Sequence, residues 1–251
     1  MDLAPLRAVI TADTREAKFV ISNPARRIID GRASWVDLTA TEQGYAPASA
    51  DERQTLSAAP LLSLSPAYFR LKPGERTEIT VTLKDGARLP KGELRSHLLI
   101  EANALRTPIR KAGGEGLQVD LSVGVSAPVM VRGAGSAAAQ FANTELVRDD
   151  EGFLVLSTAI QALGDHSAYG RIVASFTPAP TAFGQQALSE RILGQRANVA
   201  AFPDTEYRRV DVPLGAISLG AGKLTLRFEG AAEFHGRIFA ERSFAIEPPP
   251  G

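Results

Sequence analysis

Cysteine is absent from this 251-residue chain, and tryptophan occurs once. Without cysteine there can be no disulfide and no thiolate chemistry, although the compartment stays open, because an oxidising space permits disulfides without demanding them. Net charge is lacking too: 28 Lys and Arg balance 28 Asp and Glu. A chain so balanced has no bulk attraction for nucleic acid or for an anionic membrane surface. No apolar run reaches the ~18 residues that a membrane-spanning helix needs, so no membrane insertion is expected. His97, His166 and His235 stand far apart, without His-x-x-x-His spacing, and no metal site is expected. Gly-x-Ser-x-Gly is missing, and with it the nucleophile elbow of the α/β-hydrolases. Met1-Asp2-Leu3-Ala4-Pro5 has neither the basic start nor the apolar core of a signal peptide. That leaves two expectations, a cytosolic protein or one whose leader has been removed.

What the chain does contain is short β-type runs punctuated by turns. Residues 5–12 and 17–22 are separated by Asp13-Thr14, and Asn23-Pro24 stops the second run, since the residue before proline is pushed out of helical geometry. Residues 31–40 follow, with Trp35 as a core candidate. Residues 41–60 are polar and read as a long loop or weak edge. Residues 61–71 are interrupted by Ser65-Pro66, and Lys72-Pro73-Gly74-Glu75 predicts a type II turn. Residues 78–83 alternate Ile79, Val81 and Leu83, and the next strand covers 93–101. About seven short strands without a convincing amphipathic helix describe a β-sandwich.

The length favours two domains. Residues 133–140 are small and featureless, so the expected division is a first sandwich over 1–132, a linker over 133–140 and a second sandwich over 141–251. Gly133-Ala134-Gly135-Ser136-Ala137-Ala138 also satisfies the dinucleotide pattern. That pattern needs a βαβ unit around it, none surrounds it, and the linker reading stands. In the second half, strands are expected at 144–148, 153–160, 168–176, 208–214, 223–228 and 238–246. Residues 187–196 carry a weak helical pattern without a cap. Asp149-Asp150-Glu151 reads as a solvated turn.

One stretch organises the rest. In residues 116–128, Leu117, Val119, Leu121, Val123 and Val125 alternate with Gln118, Asp120, Ser122, Gly124 and Ser126. Side-chain direction reverses at each residue of a strand, so the apolar set shares one face. Ordinary half-buried strands look the same. Here the strand follows a basic, glycine-rich stretch (Arg106, Arg110, Lys111, Gly113, Gly114), and a strand entered in that way could be lent to another protein.

Leu6-Arg7-Ala8-Val9-Ile10, Ile21-Ser22-Asn23, Phe69-Arg70-Leu71-Lys72-Pro73-Gly74, Leu89-Pro90 and the alternating strand, in that order, resemble the periplasmic pilus-assembly chaperones of the chaperone–usher pathway. The resemblance covers the first half; the second matches as a generic sandwich, with residues 164–171 resembling a strand-connecting turn of some members. It implies an all-β protein of two immunoglobulin-like β-sandwich domains in an L-shaped arrangement. It implies a periplasmic chaperone with no enzymatic activity and no cofactor, whose partners are pilus or surface-fibre subunits and an outer-membrane usher. Leu117, Val119, Leu121, Val123 and Val125 would fill the groove of a subunit that lacks its last strand. Arg7 would grip the subunit's terminal carboxylate. The lysine that accompanies this arginine in the family falls at Ser126, and Arg132 is the nearest cation downstream. The family's Arg-Glu-Ser after Leu-Pro is also altered, to Gly92-Glu93-Leu94-Arg95-Ser96-His97. The competing reading is a structural or adhesive immunoglobulin-like component of a surface fibre, which would need a strand from outside instead of lending one.

Overall fold

A computed structural model describes residues 1–106, 120–180 and 189–247, with the backbone alone described at 103–106 and 120–123. The chain divides into two compact units, Met1–Thr39 with Pro47–Ala134, and Ala40–Ala46 with the chain from Gly135 onward. Both are all-β sandwiches of immunoglobulin type.

The first half of the chain supplies β1 (Asp2–Ala4), β2 (Ala8–Ile10), β3 (Glu16–Ser22), β4 (Ile29–Val36), β5 (Leu38–Ala40), β6 (Tyr45–Pro47), β7 (Leu62–Ser65), β8 (Tyr68–Leu71), β9 (Arg76–Leu83), β10 (Glu93–Arg106) and β11 (Asp120–Arg132). One sheet of the first unit runs β1-β3-β9-β7 and the other β2-β11-β10-β4-β8, while β5 and β6 form a separate ribbon. Alternation decides which side chains meet between the sheets. Phe19 and Ile21 come from β3, Ile79 and Val81 from β9, Leu98 and Ile100 from β10, and Ala127, Val129 and Val131 from β11. Trp35 packs against this core, as expected of it.

The first strand is broken. Leu3 pairs with Ile21 in one sheet, whereas Ala8–Ile10 run parallel to Val129–Val131 in the other. Pro5 lies in the gap, where its missing N–H costs the ladders nothing. The turn expected at Lys72 forms: the Glu75 N–H donates to the Lys72 carbonyl at 3.1 Å, and Gly74 takes φ +79. Asn23 is buried beside it. Its Nδ2 donates to the carbonyls of Arg27 (2.7 Å) and Leu71 (3.1 Å), and its Oδ1 accepts from the Ala25 N–H at 3.1 Å. Asn23→Ala strands those backbone groups and is expected to cost about 2 kcal/mol, measured as a lower urea midpoint in Trp35 fluorescence. An unchanged midpoint would show that the clasp is dispensable.

Residues 41–60 are more ordered than their polarity suggests. They contain β6, a helix α1 (Ala50–Leu56) and a single 3₁₀ turn at Ala59–Leu61. The helix starts on a capping box, with the Glu52 N–H donating to Ser49 Oγ (3.3 Å) and the Ser49 N–H donating to Glu52 Oε2 (2.7 Å). Reciprocal capping satisfies two donors that a helix start leaves open, and Leu56 is buried at the other end.

The second unit is built from β12 (Ala139–Arg148), β13 (Leu154–Ala162), β14 (Ala168–Pro178), β15 (Arg191–Ala201), β16 (Arg208–Pro213), β17 (Gly222–Gly230) and β18 (Ile238–Ile246). Its sheets run β12-β13-β16 and β15-β14-β17-β18. Leu156, Ile160, Ile172, Phe176, Val212, Leu226 and Phe228 form the centre of its core. The weak helical pattern over 187–196 gives way to strand from Arg191, because β15 bonds along β14 and a lone helical turn there would leave that edge unpaired.

Candidate functional site

β11 is antiparallel to β10 along its whole described length, with Val123 opposite Ala102, Val125 opposite Ile100 and Ala127 opposite Leu98. On its other side β2 covers Val129–Val131 alone. Among the described residues, the strand from Asp120 to Pro128 is therefore paired on one side only, which leaves a row of backbone donors and acceptors open to another chain. Pro128 sits one position before the cover begins, where an edge tolerates a residue without an N–H.

The open edge carries a specific face. Ala127, Val129 and Val131 are buried in the core, and Val125, two residues earlier, is partly buried against it. The sequence carries the same alternation back through Val123, Leu121, Val119 and Leu117. Leu117 and Val119 lie outside the described residues, and Leu121 and Val123 are described by backbone alone. On the opposite face stand exposed Gly124 and Ser126. Val125, Ala127, Val129 and Val131 thus share the face that meets the core between the sheets, so a strand added beside β11 at Val125 would extend that core.

Arg7 immediately precedes Ala8, the partner of Val129. It is half-buried, at the level where the cover of β11 ends. Ser126 pairs with Leu99 and brings no charge. Arg132 is committed elsewhere: its Nε donates to Glu93 Oε2 at 2.7 Å, and the two side chains are 6% and 3% exposed. The two residues are direct cross-strand partners in β11 and β10. Arg132 is thus not a spare cation for the open edge. Toward the opposite end of the same sheet, Arg70 grips Asp30 with two bonds of 2.6 and 3.0 Å, and that hydrogen bonding holds the Asp30 carboxyl below the usual carboxylate range.

Gly133, in the stretch that satisfies the dinucleotide pattern but is read as a linker, serves a packing need. A Cβ on Gly133 would lie 1.8 Å from the Pro90 carbonyl oxygen. Two backbone bonds hold the segments this close, Gly133 N–H to the Gly92 carbonyl (3.0 Å) and Gly92 N–H to the Ala134 carbonyl (2.8 Å). Among the described residues no three His, Cys, Asp or Glu side chains gather as a metal would require, and no helix is long and apolar enough to cross a membrane.

Fold and edge together define a class, an all-β protein of two sandwiches whose first unit presents one open strand in register with its own core. No family model matches the chain, and no curated protein does. Among solved structures it is similar to the YadV chaperone (8% identity, 98% of each chain covered, TM-score 0.45). It is similar to the CupB2 chaperone of Pseudomonas aeruginosa (13% identity, 97% of this chain and 98% of that one, TM-score 0.45). The SafB chaperone of Salmonella enterica, solved in complex with the SafA pilin, is a further likeness (16% identity, 98% of this chain and 95% of that one, TM-score 0.45). At such identities no residue's role passes from those proteins to this chain.

Proposed function

We propose that the protein is a periplasmic chaperone that caps pilus or surface-fibre subunits by donor-strand complementation, with β11 as the lent strand. The observation that supports this reading is the open edge from Asp120 to Pro128, backed by an apolar row in step with the core. A sandwich subunit that lacks a strand exposes a groove and unpaired backbone groups, and both are aggregation hazards. The edge of β11 would satisfy the backbone while Leu117, Val119, Leu121, Val123 and Val125 enter the groove. Each fully buried aliphatic chain contributes roughly 1.5–3 kcal/mol before ordering costs. Arg7 would meet the subunit's terminal carboxylate where β2 begins, and delivery to an outer-membrane usher belongs to the same reading. A fibre component would instead need a strand from outside.

Co-expression with the products of neighbouring reading frames tests the proposal. One of them, insoluble alone, is expected to stay soluble in a complex, and Leu121→Glu is expected to abolish that complex while Trp35 emission stays native. A charge in the groove loses the burial and adds a desolvation cost. If Leu121→Glu itself unfolds, the side chain belongs to the host core and the assigned role fails. Arg7→Ala should weaken capture as well, because a carboxylate is left unpaired. With Ser126 in place of a second cation, the wild-type complex should survive added salt well, since burial is not screened. Equal retention by wild type and Arg7→Ala across a salt series would remove Arg7 from the site.

A further inference from the structure

A cleft of about 440 Å³ opens in the second unit between β15 and β16. Each of these strands is the outer edge of its sheet. They close on each other at Gly194, where an added Cβ would stand 2.1 Å from the Pro213 carbonyl oxygen. The lining is cationic, with Arg196, Arg208 and Arg209 against a single carboxylate, Asp211. Arg209 Nε lies 3.8 Å from Glu42. Glu42 in turn accepts from the Tyr207 hydroxyl, and that bond raises the tyrosine's pKa. Arg208 Nη1 donates to the Thr41 carbonyl over a long 3.4 Å. Neither Arg196 nor Arg208 has an ion-pair partner among the described residues.

The strand is shaped at this point. Gly170 and Ile172 of β14 pair with Val199 and Arg196, so Ala197 and Asn198 bulge opposite Arg171. Asn198 adopts φ 56, and the Tyr169 hydroxyl donates to its Oδ1 at 2.8 Å. A bulge re-aims the side chains beside it, and this one follows directly on Arg196.

We propose that this cleft binds an extended, carboxylate-rich peptide segment laid along the free edge of β15, with its acidic side chains on Arg196 and Arg208. Guanidinium matches carboxylate with two parallel donors, and a free edge supplies main-chain bonds to an extended peptide. Among the described residues no aromatic ring lines the cleft, and with none there they offer no stacking platform of the kind on which single-stranded nucleic acid depends. The site is separate from β11 and stands or falls independently of the client reading.

The test uses the full chain and fluorescein-labelled hexaglutamate, with hexaglutamine as its uncharged counterpart, followed by anisotropy at low ionic strength. Hexaglutamate is expected to bind at least about tenfold more tightly than hexaglutamine, and Arg196→Ala with Arg208→Ala to remove about that factor. Arg242→Ala, on the far edge strand β18, should leave binding unchanged. Asp211→Asn should tighten it about twofold to threefold by removing the one opposing charge in the lining. Equal binding of the two peptides overturns the proposal, as does wild-type affinity in a folded double variant. Displacement of hexaglutamate by oligo-dT or inorganic phosphate at equal charge concentration would reveal a bare anion site, and that too overturns it. Should the double variant fail to fold, Asp211→Asn decides, and unchanged affinity there overturns the proposal.

Discussion

Glu93→Ala is expected to lower the stability of the first unit by about 3–5 kcal/mol, because it leaves the Arg132 guanidinium charged and buried without its carboxylate. The pair is short (2.7 Å) and nearly solvent-free, with side-chain exposures of 6% and 3%. Urea unfolding followed by Trp35 reads this unit alone, since Trp35 is the only tryptophan and packs against its core. Arg70→Ala breaks an ion pair of similar length, 2.6 Å, between side chains that are 71% and 50% exposed. Water and salt screen that pair, and its midpoint should barely move. Replacing both buried partners, Glu93→Leu with Arg132→Met, should regain much of the loss, since the desolvation cost vanishes along with the attraction. If Glu93→Ala behaves like Arg70→Ala, the buried pair is not what holds β10 to β11 at this end.

Gly133→Ala is expected to be nearly as damaging, with a loss of about 3 kcal/mol, at the upper end for an inserted methyl group. The methyl would stand 1.8 Å from the Pro90 carbonyl oxygen and 2.9 Å from its carbon. Both are backbone atoms pinned by the hydrogen bonds of Gly92, so relief requires the ladder itself to shift. Gly124→Ala is the comparison. Its Cβ would come closest to Leu99 Cδ1, at 3.3 Å, with the Ile100 carbonyl oxygen in ordinary contact at 3.9 Å, and a leucine side chain can turn aside. Equal melting of the two variants would mean that the close approach at Gly133 relaxes freely.

Much of the fold is legible in the residues, and the gaps have definite causes. β13, β14, β16, β17 and β18 follow from β-type runs bounded by turn residues, although burial repeats strictly at every second position in β16 alone of these five, and β14 and β17 are buried over consecutive residues. β15 does not. It lies at a sheet edge and is bulged twice, with one extra residue at Ala197-Asn198 and another at Leu193. Each bulge reverses the phase of the alternation, which leaves no periodic signal to read. The capping box of α1 is visible as Ser49-Ala50-Asp51-Glu52, but a seven-residue helix is too short to show a 3.6-residue period. At the candidate site the apolar row of β11 was visible while its partners were not. Register across strands placed Glu93 opposite Arg132, and no local pattern reveals that pairing. Nor does the sequence show that β2 covers only Val129–Val131, since the extent of a neighbouring strand depends on where the chain bends.

The break in the first strand acts as a gauge. Pro5 and Leu6 set how late the chain joins the second sheet, and the late start of β2 sets how much of β11 is left open. If the crossing came two residues earlier, β2 would reach Ala127 and the open stretch would shrink by a full side-chain repeat. If it came two residues later, the opening would lengthen while the corner of the sandwich lost its seal over Val129. Insertions or deletions around Pro5 are therefore a means of resizing the docking stretch without altering any residue in it.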